Sequence, residues 1–117
     1  MQPSLKNDTG WINCSLELGI ENIDWNPLQY RLIDNICYIC GAVRISNPLF
    51  GKVITRLPYK FEKEFDSLSR NADSKDRASI ISLNSNGDLD FLDYIVNNVQ
   101  TTDIVTVFIN ISAPIKK

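Results

Sequence analysis

Apolar and polar residues alternate with a period of two along most of this chain, the pattern of strands that bury one face. From Trp11 to Leu18, the residues Ile12, Cys14, Leu16 and Leu18 alternate with Asn13, Ser15 and Glu17, which predicts a half-buried strand bracketed by Gly10 and Gly19. Glu21 to Pro27 is a polar, Asn-rich loop that contains Trp25 and closes on Pro27. Proline has no amide hydrogen to give a ladder, so the next strand begins at Leu28. Leu28 to Ile33 and Ile36 to Ile45 are β-rich runs separated by Asp34 and Asn35, a pair that tolerates positive φ and predicts a two-residue hairpin.

Beyond that hairpin, Ser46, Asn47, Pro48 and Gly51 form a loop, and Lys52 to Leu57 reads as a short strand ended by Pro58. Tyr59 to Arg77 is charged and mixed, with a strand over Phe65 to Ser69 and a tip at Asn71 to Asp76. Ala78 to Leu83 and Leu89 to Ile95 flank a second hairpin turn, Asn84, Ser85, Asn86 and Gly87, and Asp103 to Ser112 supplies the last strand. No segment has a helical period. The expected architecture is all-β, an antiparallel β-sandwich of jelly-roll-like form with seven or eight strands. Residues 1–9 read as an N-terminal tail or stem remnant and 10–117 as one domain.

Composition narrows the function classes. A chain of 117 residues buries roughly two thirds of the surface its unfolded form exposes, enough for a core without staples. Hydrophobic residues at 44% and charged residues at 22% argue for a folded chain rather than a disordered one. Lys and Arg number 12 against 14 Asp and Glu and are scattered, so no cluster exists to displace counterions from nucleic acid. Apolar runs such as Ile104 to Ile111 are interrupted and fall well short of the roughly 20 residues of a membrane-spanning helix. Met1 to Asp8 lacks the apolar stretch of a secretory signal. Either the chain is made for the cytosol, or Met1 heads a piece cut from a longer one.

The search for chemistry returns little. Cys37 and Cys40 form a C-x-x-C pattern, but their neighbours Ile36, Tyr38, Ile39, Ala42 and Val43 read as a strand. Residues three apart in a strand point to opposite faces with Cα atoms about 10 Å apart, beyond the reach of a disulfide. The expectation for Cys14, Cys37 and Cys40 is therefore reduced, unligated thiols, with no metal and no cofactor. The chain has no histidine, the commonest general base and metal ligand. Asp88, Asp90 and Asp93 could suggest a glycosidase pair, but Asp88 and Asp90 flank a hairpin turn where acidic residues face water. Ser82, Asn84, Asn86, Gly87 and Asp93 fall on calcium-loop positions, yet position 1 is Ser, position 12 is Asp, and the flanks read as strands. Asn7, Asn13 and Asn110 head N-x-S/T triplets that matter only in a eukaryotic secretory setting. An enzyme is not expected.

One resemblance remains. Trp25-x-Pro27, then Tyr30-Arg31-x-Ile33-x-Asn35-x-x-Tyr38-Ile39-x-Gly41-x-Val43, then Gly51-x-Val53-Ile54-x-x-Leu57-Pro58 resembles the carboxy-terminal domains of tail-tip and baseplate proteins from phages of Gram-positive bacteria. Phe61 to Arg77 departs from that pattern by being more charged. The resemblance implies a β-sandwich head in the virion, assembled in the bacterial cytoplasm and usually a homotrimer. Such heads either bind host cell-wall polysaccharide or dock other baseplate proteins. Within the motif, Tyr30, Tyr38 and Ile39 are expected in the core or a trimer interface, Gly41 at a bulge or close backbone approach, and Arg31 beside a carboxylate. Sugars are held by an aromatic face beside polar side chains. The ligand-binding candidates are therefore Trp25 with Asp24 and Asn26, and Tyr94 with Asp93 and Asn97.

Overall fold

The computed structural model describes residues 8–46, 52–70, 78–95 and 105–116. Among them run nine strands: β1 (Ile12–Asn13), β2 (Ile20–Asn22), β3 (Gln29–Ile33), β4 (Ile36–Ile45), β5 (Lys52–Arg56), β6 (Phe65–Arg70), β7 (Ala78–Leu83), β8 (Asp88–Ile95) and β9 (Val105–Pro114). All pairings are antiparallel, and the two sheets they form close on one core, giving the all-β sandwich read from the sequence.

The first sheet is organised around β4. Asp34 and Asn35 take φ angles of 55° and 95°, which turns β3 directly back onto β4 with Ile33 opposite Ile36. The ten residues of β4 pair along their whole length with β9, from Ile36 opposite Pro114 to Ile45 opposite Val105. The other edge of β4 is shared: β3 covers Ile36 to Cys40, and β2 covers Val43 to Ile45. β1 extends the sheet beyond β3. The second sheet has the order β5-β8-β7-β6. There β6, β7 and β8 form a meander and β5 lies beside the last of them, which is a Greek key.

Alternation builds the core. Cys37, Ile39, Val43 and Ile45 of β4 and Val107, Ile109, Ile111 and Ala113 of β9 face inward against Ile54, Ile81, Leu83, Leu89 and Phe91 of the second sheet. Each large side chain of this kind contributes about 1.5–3 kcal/mol when fully buried. Leu28, Phe61 and Leu57 close the layer from the connecting segments.

The structure corrects three details of the sequence reading. Trp11 to Leu18 is not one strand. Cys14 N donates to Leu28 O at 3.0 Å on the first sheet, whereas Glu17 N donates to Ile54 O at 3.0 Å and Leu16 bridges Thr55 on the second. A segment that changes sheets cannot keep one buried face, so Cys14 is buried while Leu18 is 96% exposed. The segment expected to be a loop from Glu21 contributes Glu21 and Asn22 to β2, opposite Arg44 and Val43. Residues Asp8 and Thr9, read as tail, belong to the sheet: Asp8 bridges Ile33, and Thr9 N donates to Leu32 O at 3.0 Å. The other strands fall within two residues of where the alternation places them, β3 starting at Gln29 rather than Leu28 and β9 running on to Pro114. With the short β1 and β2 the described strands number nine rather than seven or eight. The expected tip at Asn71 to Asp76, and Asp103 and Ile104 of the expected last strand, lie outside the described residues.

Candidate functional site

β2 and β3 run in the same direction along one edge of β4 and are separated by an excursion. Asn22 pairs with Val43 and Gln29 with Cys40, so six residues, Ile23 to Leu28, stand opposite only Gly41 and Ala42. Both ends of the excursion are anchored by buried side chains, Ile23 and Leu28. Its backbone is tied at several points besides the Cys14 N–Leu28 O bond already described. Asn26 N donates to Ile23 O at 2.9 Å, Ala42 N donates to Asn26 O at 2.9 Å, and Leu28 N donates to Asn22 Oδ1 at 3.1 Å.

Gly41 makes this close seat possible. It has φ of +143°, and a Cβ there would lie 2.5 Å from Leu28 Cα and 2.7 Å from Pro27 C, so no larger residue fits without moving the loop. The expected close backbone approach at Gly41 is thus present. The tip of the loop displays Asp24 and Trp25, with Asn26 half-buried beside them. The Trp25 ring is 73% exposed and leans on Phe108 of β9, centroids 6.2 Å apart and planes tilted by 50°.

The second group of candidates stands elsewhere. Asp93 and Tyr94 belong to β8, opposite Ile80 and Ser79 in the second sheet; their side chains, and Asn97, lie outside the described residues. Trp25 is carried by the first sheet and Tyr94 by the second. The neighbouring carboxylates serve the turn and its flank. Asp88 accepts from Arg56 Nη1 at 2.9 Å and Asp90 Oδ2 accepts from Asn84 Nδ2 at 2.7 Å. Asn84 N donates to Asp88 O at 2.8 Å and Gly87 N to Asn84 O at 3.0 Å, closing the Asn84 to Gly87 hairpin between two strands. Among the described residues no three of His, Cys, Asp and Glu gather in a way that could hold a metal ion.

Cys37 and Cys40 lie on opposite faces of β4, as strand geometry demands. Cys37 is buried, Cys40 is half-buried with Sγ 3.5 Å from Asn110 Oδ1, and all three thiols are free. Burial pushes the Cys14 thiol up to about 12, reinforced by Cys37 and partly offset by a hydrogen bond with Thr55. Burial alone pushes Cys37 up to about 11.

Sequence reasoning overlooked a second aromatic group on the outer face of the first sheet. Arg31 is held by Asp8 through Nε–Oδ1 at 2.8 Å and Nη2–Oδ2 at 2.6 Å, the carboxylate expected for it. The guanidinium lies 5.8 Å from the centre of the Trp11 ring, within cation–π range. Tyr38, across from Arg31 in the ladder, is 37% exposed and Trp11 46%. Tyr38 is therefore outside the core, while Tyr30 on the inner side packs edge-on against Tyr59 at 5.8 Å. The usable signal was parity along β4: Tyr38 is out of phase with buried Cys37 and Ile39. Compared with known proteins, the chain matches no family model and no curated sequence.

Proposed function

We propose that this domain is the head of a phage adhesion device, a trimeric virion module that holds host cell-wall saccharide passively and without turnover. The reading draws on the resemblance spanning Trp25 to Pro58 and on one structural observation. Trp25 presents its ring, 73% exposed, from a loop whose backbone is already tied to β4 and whose roots are buried. A rigid indole on a preordered loop loses little conformational freedom when it binds. It offers a sugar ring an apolar face, with Asp24 and Asn26 alongside for hydroxyl groups. A trimer of such heads multiplies a weak single site into avidity roughly 10² to 10⁴ greater.

The test is sedimentation of the purified domain with cell walls of Gram-positive bacteria, wild type beside Trp25→Ala. The expected outcome is a loss of binding of about tenfold or more, with stability changed by no more than about 1 kcal/mol, the usual range for a surface substitution. An unfolded Trp25→Ala protein would assign the indole to the scaffold instead. A second reading, a structural baseplate module that docks other baseplate proteins, is favoured by Leu68, 65% exposed on β6 at the margin of the second sheet. Binding to baseplate proteins with none to cell walls would select it.

A further inference from the structure

The register of the first sheet places three neighbouring rows of side chains across the middle of its outer face, between the row of Ile33, Ile36 and Pro114 and the row of Glu21, Arg44 and Thr106. Cys40 is opposite both Gln29 and Asn110, and Gln29 is opposite Asn13, so these four residues form one polar row across β1, β3, β4 and β9. The row is knitted together: Gln29 Nε2 donates to Asn13 Oδ1 at 2.8 Å and Cys40 Sγ to Asn110 Oδ1 at 3.5 Å. Two residues along the strands on one side lies the row of Arg31, Tyr38 and Ser112, overhung by Trp11. Two residues along on the other side lies the pair Ala42 and Phe108, overhung by Trp25. Strand rise puts the rows about 7 Å apart, so the two aromatic groups stand about 14 Å from each other with the amides between them.

We infer that this face is a binding platform for an extended, uncharged saccharide chain, laid along β4 from Tyr38 toward Trp25. The inference rests on the saccharide reading above and moves the site from the loop alone to the whole sheet face. Chemistry selects the occupant. Among the described residues of these rows and the adjoining Glu21–Arg44 pair, the cations are matched by carboxylates, Arg31 by Asp8 at 2.6 Å and Arg44 by Glu21 at 3.7 Å, so this part of the face offers no unanswered positive charge to a polyanion. A protein partner buries an apolar centre ringed by polar residues; here the order is reversed, with amides in the middle and aromatic rings at both ends. A polyhydroxylated chain fits that order. Aromatic rings take the apolar faces of sugar units, and each amide, having given one position to its neighbour, retains donors and acceptors for hydroxyl groups.

The test measures binding to purified cell-wall polysaccharides of Gram-positive bacteria, one set neutral and one phosphate-bearing. Wild type is compared with Gln29→Ala, Asn110→Ala, Tyr38→Ala and Trp25→Ala, and the side-chain amide signals of Asn13, Gln29 and Asn110 are followed by NMR. The expected result is a preference for neutral polymer that persists in high salt, with shifts of those amide signals. Weakening should be roughly three- to tenfold for each amide variant and about tenfold for Tyr38→Ala. Thermal melting of each variant separates lost contact from lost fold, and the amide shifts are read on the wild-type protein alone. Weakening by Trp25→Ala only, with the amide signals unmoved, would overturn the platform and leave the loop site standing. Preference for the phosphate-bearing polymer, abolished by salt, would overturn the uncharged occupant. Binding of neither set would overturn both the platform and the saccharide reading.

Discussion

The two sheets share a core but spend their outer surfaces differently. The second sheet follows a Greek key in which the hairpin from β7 to β8 is closed locally by Asn84 and Gly87, and among its described residues no aromatic ring is exposed on the outer side. The first sheet is interrupted: one edge of β4 is divided between β2 and β3, and the six residues between them stand out from the edge. It also carries the exposed rings of Trp11, Trp25 and Tyr38. The second sheet's irregularities are single register shifts, at Val53/Thr55 and Ile80/Ile81, whereas the longer interruption in the first frees a short segment to carry contacts while the flanking strands hold it still. On the proposed reading, the second sheet serves as scaffold, and the interruption in the first, seated on β4, carries the contacts.

The sharpest way to break that assignment is at Gly41. Gly41→Ala forces a Cβ into Pro27 and Leu28 at a φ of +143°, a strain that relaxes only by displacing the loop. The expected cost is about 3 kcal/mol or more in urea denaturation, near the top of the range for single substitutions. If Gly41→Ala is tolerated within 1 kcal/mol, the loop is not seated on β4, and Trp25 has no fixed position from which to bind.

The next test concerns the thiols, all three of which belong to the first-sheet side of the molecule. Cys14 and Cys37 have pKa values raised by burial to about 12 and about 11. In the unfolded chain they titrate near 9.0. Because the folded state holds these protons more tightly, their contribution to stability is complete below pH 9. It declines as the pH rises from 9 toward the folded values. Denaturation midpoints should therefore fall between pH 9 and 11, and Cys14→Ser should flatten part of that fall at a cost in baseline stability. In native alkylation Cys40, the half-buried thiol, reacts ahead of Cys14 and Cys37. Rapid labelling of Cys14 at neutral pH would mean that the crossing segment between the sheets opens readily.

Local signals made much of this fold readable, and cross-strand relations made the rest unreadable. The Asp34–Asn35 and Asn84–Gly87 turns were legible because positive φ at Asp34, Asn35 and Gly87 is a property of the residues themselves. The parity of β4 was legible for the same reason, and with it the separation of Cys37 from Cys40. Trp11 to Leu18 misled because alternation reports one buried face, while this segment passes from β3 to β5 and meets two different surroundings. The polar row was invisible because Asn13, Gln29, Cys40 and Asn110 become neighbours only through three registers. Trp25 was singled out because a tryptophan in a polar loop stands out, but its contact with Phe108 depends on β9, more than eighty positions along the chain.

The smallest effect is expected on the second sheet, at a carboxylate that its structural role does not fully satisfy. Asp90 Oδ1 is buried without a hydrogen-bond partner, while Oδ2 accepts from Asn84. Burial raises the Asp90 pKa; the Asn84 hydrogen bond and Arg56 oppose the rise, while Asp88 and Glu64 add to it. A carboxyl whose folded pKa lies above its unfolded value of 3.8 favours folding in its protonated form. That contribution is full below pH 3.8 and is lost as the pH rises through the folded value. Asp90→Asn keeps an acceptor for Asn84 and removes the charge, so it should stabilise the domain at neutral pH by less than about 1 kcal/mol. The gain should shrink toward zero as the pH falls below 4, because both side chains are then neutral. Thermal melts of the two proteins from pH 3 to pH 8 check this. A destabilised Asp90→Asn at neutral pH would show instead that the Asp90 charge supports Arg56, so that the second sheet, too, holds a charge network that its fold requires.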